Sequence, residues 1–179
     1  MRLELKDIKG GVLEQDYSCT LNDFPDLIAL AEEGGPQFEE PIAFHLRLQR
    51  TGQMVEVDGR VSATLQLSCG RCLKRFKQKV SDTFALTFSP LTEESPTEDE
   101  IELESEELGL IVYHDDILDL RGPLQEQLLM TIPISPVCDA GCPGLCHECG
   151  ADLNIAQCGC KKKIFNNKFS VLADISLDK

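Results

Sequence analysis

The sequence predicts an α+β protein: an antiparallel β-meander sheet with one main helix and a cysteine-rich C-terminal tail. Three observations carry this. Apolar and polar residues alternate along two long neighbouring stretches, a single helical repeat sits ahead of Pro133, and six of nine cysteines crowd into residues 138–160.

The first forty residues read weakly. They suggest a short strand near Leu3 and Leu5, then a helix around Leu27 to Glu33 stopped by Gly34-Gly35-Pro36. Beyond Pro41 the pattern sharpens. In IAFHLRLQR, Ile42, Phe44, Leu46 and Leu48 alternate with polar residues, the period of a strand buried on one face. Thr51-Gly52-Gln53 supplies a turn. Val55, Val57, Val61, Ala63, Leu65 and Leu67 then continue the alternation, so the two stretches form a hairpin. Gly59 falls on the inner face mid-strand, where a bulge or a close backbone approach is the usual reason.

The second strand runs into Cys69-Gly70-Arg71-Cys72, and the chain returns through Phe84, Leu86 and Phe88. CGRC therefore sits at a turn between strands. Residues 90–107 are too charged to collapse and read as an acidic loop. A short strand comes next at Leu110–Tyr113. In DLRGPLQEQLLMTIP, Leu120, Leu124 and Leu128 share one helical face, Asp119 can cap, and Pro123 is tolerable in the first turn. The helix should span about 119–132. The organisation is a sheet body over residues 1–136 and a tail over 137–179.

The net charge of −14 is local. Residues 90–120 hold twelve acids and no Lys or Arg, which leaves 19 acids against 17 bases elsewhere, a balance of −2. A basic surface on the body remains possible. The N-terminus carries Arg2, Glu4, Lys6 and Asp7, which does not resemble the apolar core of a secretory signal, and no apolar run reaches membrane-spanning length. A cytoplasmic location is expected. In a reducing compartment, clustered cysteines more often bind metal or do redox chemistry than form disulfides.

The tail spacing is C-x3-C-x3-C-x2-C-x8-C-x-C. Cys146-His147-Glu148-Cys149-Gly150 has the form of a zinc knuckle: two thiolates grip one ion from a tight turn, and the glycine after them relieves the backbone. Cys158 and Cys160 offer a second pair. Cys69 and Cys72 cannot complete a tetrahedral site alone. Two plus six makes eight, enough for two zinc ions. The simplest division puts Cys146, Cys149, Cys158 and Cys160 in one site and joins Cys69 and Cys72 to Cys138 and Cys142 in the other. That second site would give a zinc-stapled tail. Inert buried thiols, a redox pair and an iron–sulfur cluster are the alternatives, of which the first has too few apolar neighbours here. Cys19 is left over.

No phosphate-cradling glycine loop, HExxH or Ser-His-Asp order appears. A zinc held by four thiolates keeps no open position for water, so catalysis is not expected. Basic residues adjoin both cysteine clusters: Arg71, Lys74, Arg75, Lys77 and Lys79 in and after CGRC, and Lys161, Lys162 and Lys163 after CGC. With Phe76 and Phe165 interleaved, they are candidate RNA contacts.

The strand ending in CGRCL, the acidic middle, DLRGPLQEQLLMTIP, and GLCHECGADLN with CGC after it together resemble the YceD family of bacteria and plastids, the large ribosomal RNA subunit accumulation proteins. Gly122-Pro123 departs from the plain helix of relatives. The resemblance implies a non-enzymatic factor in large ribosomal subunit biogenesis, with large-subunit ribosomal RNA or a basic ribosomal protein as partner. Two rivals stand beside it: a thiol redox protein or switch using Cys69 and Cys72, and a zinc-bearing adaptor that holds a basic ribosomal protein through the acidic loop.

Overall fold

Period-two alternation over residues 42–48 and 55–67 builds the centre of the molecule. The computed structural model describes residues 1–90 and 109–160. Apart from Pro90, the acidic loop lies outside the described residues, as do Lys161, Lys162 and Lys163.

The elements run β1 (Arg2–Glu4), β2 (Val12–Cys19), α1 (Pro25–Glu32), β3 (Gln37–Thr51), β4 (Met54–Ser68), β5 (Arg75–Pro90), β6 (Leu110–Tyr113), β7 (Ile117–Asp119) and α2 (Arg121–Met130), with three short 3-10 turns near the N-terminus. The main sheet has the order β2-β3-β4-β5-β6, and β1 pairs with β7 in a separate two-stranded sheet. Every pair is antiparallel except β5 with β6, which run parallel. The meander expected from the sequence is thus present, with one parallel strand added at its edge.

The apolar set of each strand faces one side. Ile42, Phe44, Leu46 and Leu48 of β3 and Val55, Val57, Val61 and Leu65 of β4 are buried together with Phe24 and Leu27 beside and on α1. Leu120, the N-cap of α2, and Leu124 and Leu128 on the helix join the same core. The opposite face of the sheet is open to solvent, and its residues are mostly polar or small, with Val12, Met54 and Val112 exposed toward its margins.

Gly59 is neither a bulge nor a place where another backbone comes close; a side-chain ring fills the space over it. Its register partner Phe84 lays its ring across it, so that a Cβ there would lie 2.1 Å from the ring. The irregularity in register falls instead between Glu39 and Ala43, where Pro41 cannot donate a ladder hydrogen bond. That lets β3 start earlier than the proline suggests.

Helix α2 is shorter than the expected 119–132. Its N-cap is Leu120, and Asp119 instead accepts from the Arg121 backbone N–H at 3.1 Å. At the other end Thr131 and Ile132 donate three residues back, to Leu128 and Leu129, a tightening that ends the helix before Pro133. Gln125 is buried because Asp26 satisfies it: its amide donates to the carboxylate at 2.6 Å and accepts from the Asp26 backbone N–H at 3.3 Å. This pair ties α2 to α1. Among the described residues no helix is long and apolar enough to cross a membrane.

Candidate metal centre

The turn between β4 and β5 carries Cys69 and Cys72 to one end of the sheet, and the chain after α2 comes back to meet them. Gly70 donates to the Pro136 carbonyl at 2.8 Å, and Leu145 donates to the Arg71 carbonyl at 3.0 Å. The Arg71 side chain completes the attachment by donating to the carbonyls of Ala140 (3.1 Å) and Cys142 (2.9 Å). These bonds bring Cys138 and Cys142 over the CGRC turn.

Eight thiols gather in two groups. Cys69, Cys72, Cys138 and Cys142 form one, and Cys146, Cys149, Cys158 and Cys160 the other; within each, all Sγ atoms lie within 4.8 Å of one another. In the first group Cys69 and Cys142 Sγ are 3.9 Å apart and Cys72 and Cys138 Sγ 3.7 Å. Four sulfurs arranged tetrahedrally at about 2.3 Å from a zinc ion would stand about 3.8 Å from each other, whereas a disulfide needs about 2 Å. The spacing fits a shared ion and not a covalent pair.

The electrostatics of the two groups match. Backbone hydrogen bonds, from Cys138 and Cys72 first, lower the Cys69 thiol to about 6. Those from Cys149 and Glu148 likewise lower Cys146 to about 6. Burial and the neighbouring thiols push Cys138 up to about 12, and Cys149 and Cys158 push Cys160 up to about 12. Each tetrad therefore has a thiol that ionises readily and one that resists. Four thiolates cannot share so small a space without a counter-charge, and a divalent cation is the species that supplies one. Outer hydrogen bonds also reach the sulfurs: the Arg71 N–H approaches Cys69 Sγ at 3.4 Å, and the Asn154 amide approaches Cys142 Sγ at 3.5 Å.

The two groups differ in access. Cys69, Cys72 and Cys142 are buried in a small cluster with Leu145 and Val137 beside them, while Cys149 and Cys160 are exposed. Burial of Cys69 argues against the redox reading, because exchange needs an attacking thiol that a partner can reach. Cys19 lies in the core.

The candidate RNA contacts divide. Arg75, Lys77 and Lys79 alternate onto the open face of the sheet along β5, and Lys77 pairs with Glu39 at 2.5 Å. Lys74 is exposed near Asp152, whose carboxyl lies below its ordinary value chiefly through hydrogen bonds from Asn154, with a smaller part from Lys74. Arg71 is committed to the tail carbonyls. Sequence reasoning missed this role, and it missed Asn154, although the DLN just after the knuckle was the available signal. His45, on the polar face, meets Asp16 at 2.7 Å.

The fold and these tetrads define a class: a largely antiparallel-sheet protein whose cysteine-rich C-terminal segment is hydrogen-bonded over a CxxC turn and gathers eight thiols into two groups that could hold metal. The chain belongs to the YceD family; the family model, described as large ribosomal RNA subunit accumulation protein YceD, matches residues 57–176. An uncharacterized protein of Mycobacterium tuberculosis is 35% identical over 111 residues, covering 60% of this chain and 49% of its own length. The large ribosomal RNA subunit accumulation protein YCED homolog 1, chloroplastic, is 23% identical over 157 residues in Arabidopsis thaliana (75% of this chain, 48% of the relative). The protein of that name in Zea mays is 25% identical over 160 residues, 72% of this chain and 52% of the relative. The chain spans about half the length of the curated relatives it matches. No solved structure matches it.

Proposed function

We propose that the protein is a non-enzymatic factor in large ribosomal subunit biogenesis, which supports accumulation of large-subunit ribosomal RNA by binding that RNA. Family membership carries this reading, since the plant relatives are named for that role. The two tetrads support it from the chemical side. Closed sites of four thiolates hold a zinc ion for structure and leave it no position for a substrate or water. Zinc, held by Cys69, Cys72, Cys138 and Cys142 and by Cys146, Cys149, Cys158 and Cys160, would fasten the tail (137–179) to the body (1–136). Arg75 and Lys77 of β5 lie near the CGRC end of the sheet, where the tail is fastened. The ratio of large- to small-subunit ribosomal RNA in cells depleted of the protein is the test. It should fall and be restored by the wild-type chain; an unchanged ratio overturns the reading.

A further inference from the structure

The open face of the sheet carries an arrangement that neither the tetrads nor family membership accounts for. Across β4 and β5, Arg60 stands opposite Thr83, Ser62 opposite Ser81, and Thr64 opposite Lys79. The middle row is short and the rows on either side are taller, so the face is grooved at right angles to the strands. The row extends over Ala43 and Ser18 on β3 and β2. Cavities of about 340 and 370 Å³ lie along this trench, one bounded by Arg60 and Ser62, the other by Ser62, Thr64, Lys79 and Ser81.

Its chemistry is that of an anion cradle. Arg60 and Lys79 face each other diagonally across the floor, and neither has an ion-pair partner among the described residues, whereas Arg47 pairs with Asp58 and Lys77 with Glu39. The hydroxyls of Ser62 and Ser81 stand between them, with Thr83 beside Arg60 and Thr64 beside Lys79. No carboxylate lines the cavity that contains Lys79, and the one beside Arg60, Asp16, is taken up by His45. The floor row itself, Ser18, Ala43, Ser62 and Ser81, carries no large apolar side chain that could anchor a protein partner; Tyr17, Phe44 and Val80, which also border the cavities, belong to or pack against the core. At a strand spacing of about 4.8 Å, a groove across four strands is about 14 Å long or more, room for more than one phosphate.

We propose that this trench holds the sugar–phosphate backbone of single-stranded RNA, with Arg60 and Lys79 each contacting a phosphate and the hydroxyls donating to neighbouring phosphate oxygens. The inference rests on the assignment to large-subunit ribosomal RNA and names where on the chain that RNA lies. Contacts of this type position a strand without reading its sequence, because they go to phosphates and not to base edges. The protein's negative charge does not forbid it: at physiological salt the screening length is about 8 Å, so distant acids oppose a local cradle weakly.

The test is fluorescence anisotropy with a labelled oligouridylate of about 12 nucleotides, titrated with metal-loaded full chain at several salt concentrations. Changing Arg60→Ala together with Lys79→Ala should weaken binding at least tenfold. It should also flatten the log–log salt dependence by about 1.4, two phosphates at about 0.7 each. Ser81→Asp, which places a charge in the floor and removes no base, should weaken binding as well. Thermal melting and metal content should stay those of the wild type in both variants. Binding unchanged in both variants overturns the trench, as does equal competition by polyglutamate or by duplex RNA. If the wild type binds no single-stranded RNA at low salt yet restores large-subunit RNA in depleted cells, the trench fails and the biogenesis role stands. If it fails to restore that RNA, the role itself fails.

Discussion

The backbone of Gly144 passes so close to Arg71 that a Cβ on the glycine would lie 2.9 Å from the Arg71 carbonyl oxygen and 3.2 Å from the Arg71 Cβ. The glycine also has φ +78, a conformation other residues adopt at a cost. The tail can therefore dock on the CGRC turn only without a side chain at this position. Gly144→Ala should cost about 1–3 kcal/mol through clash and backbone strain together. The loss should appear as faster proteolysis of the tail and weaker metal retention at the first tetrad, with the sheet's circular dichroism preserved. A variant as stable and as protease-resistant as wild type would show that the close approach is not what seats the tail.

Leu73 and Gly150 hold the same place in the two thiol turns. Each lies four residues after the first cysteine and donates its N–H to that cysteine's carbonyl, at 2.9 and 2.8 Å. Their φ angles are +60 and +73. A leucine here bears a left-handed penalty of about 1–2 kcal/mol, partly offset by the extra freedom glycine has when unfolded. Leu73 is 67% exposed, so it recovers little by packing. Leu73→Gly should leave the melting temperature unchanged or raise it by about 2–4 °C, while Gly150→Leu should lower it by a similar amount. A clear loss on Leu73→Gly would mean that the leucine packs against something in the folded chain.

Much of this architecture was legible in the residues. The alternation at Ile42–Leu48 and Val55–Leu67 showed both long strands because one face of each is buried and the other wet. The close pairs Cys69/Cys72, Cys146/Cys149 and Cys158/Cys160 were legible from their spacing, whereas their division into two tetrads was only the simplest of several that the spacing allows. The features that stayed hidden have physical reasons too. Strand β2 alternates poorly, since Glu14, Gln15 and Asp16 interrupt it on an edge that is mostly exposed. Strand β7 has three residues and no period to detect. Arg71 reads as a free base in sequence because nothing local shows that its partners are carbonyls some seventy residues away.

Acid should weaken the junction between the N-terminus and α2. The Asp119 carboxyl sits below its ordinary value of 3.8, mainly because the Arg121 N–H donates to it and then because Arg2 lies beside it. A carboxylate lowered on folding stabilises the native state above its unfolded value, and that contribution disappears as pH falls through the folded value. Asp119→Asn should therefore lower the melting temperature slightly near pH 7, by an amount that shrinks toward zero as pH drops below about 4. Thermal melts of both proteins across that range check it. A difference that grows on acidification would contradict the assignment.

Removing metal should separate the two tetrads, because their ligands close very different lengths of chain. The second gathers Cys146 to Cys160, a local turn. The first joins thiols 66 and 73 residues apart in sequence and bridges body to tail. Structural zinc contributes roughly 10–16 kcal/mol of apparent binding free energy in small peptides, more than the sparse apolar contacts of the tail can supply. Native mass spectrometry should find two ions in the wild type and one each in Cys142→Ser and Cys160→Ser. Cys142→Ser should release the whole tail from the CGRC turn, read as protease cleavage between residues 133 and 145. Cys160→Ser should loosen only the chain beyond Leu145 and leave residues 133–145 protected. Chelation of the wild type should do both while most of the sheet's far-ultraviolet signal survives. One ion in the wild type, with Cys69 and Cys72 still titratable in the native protein, would refute the bridging site.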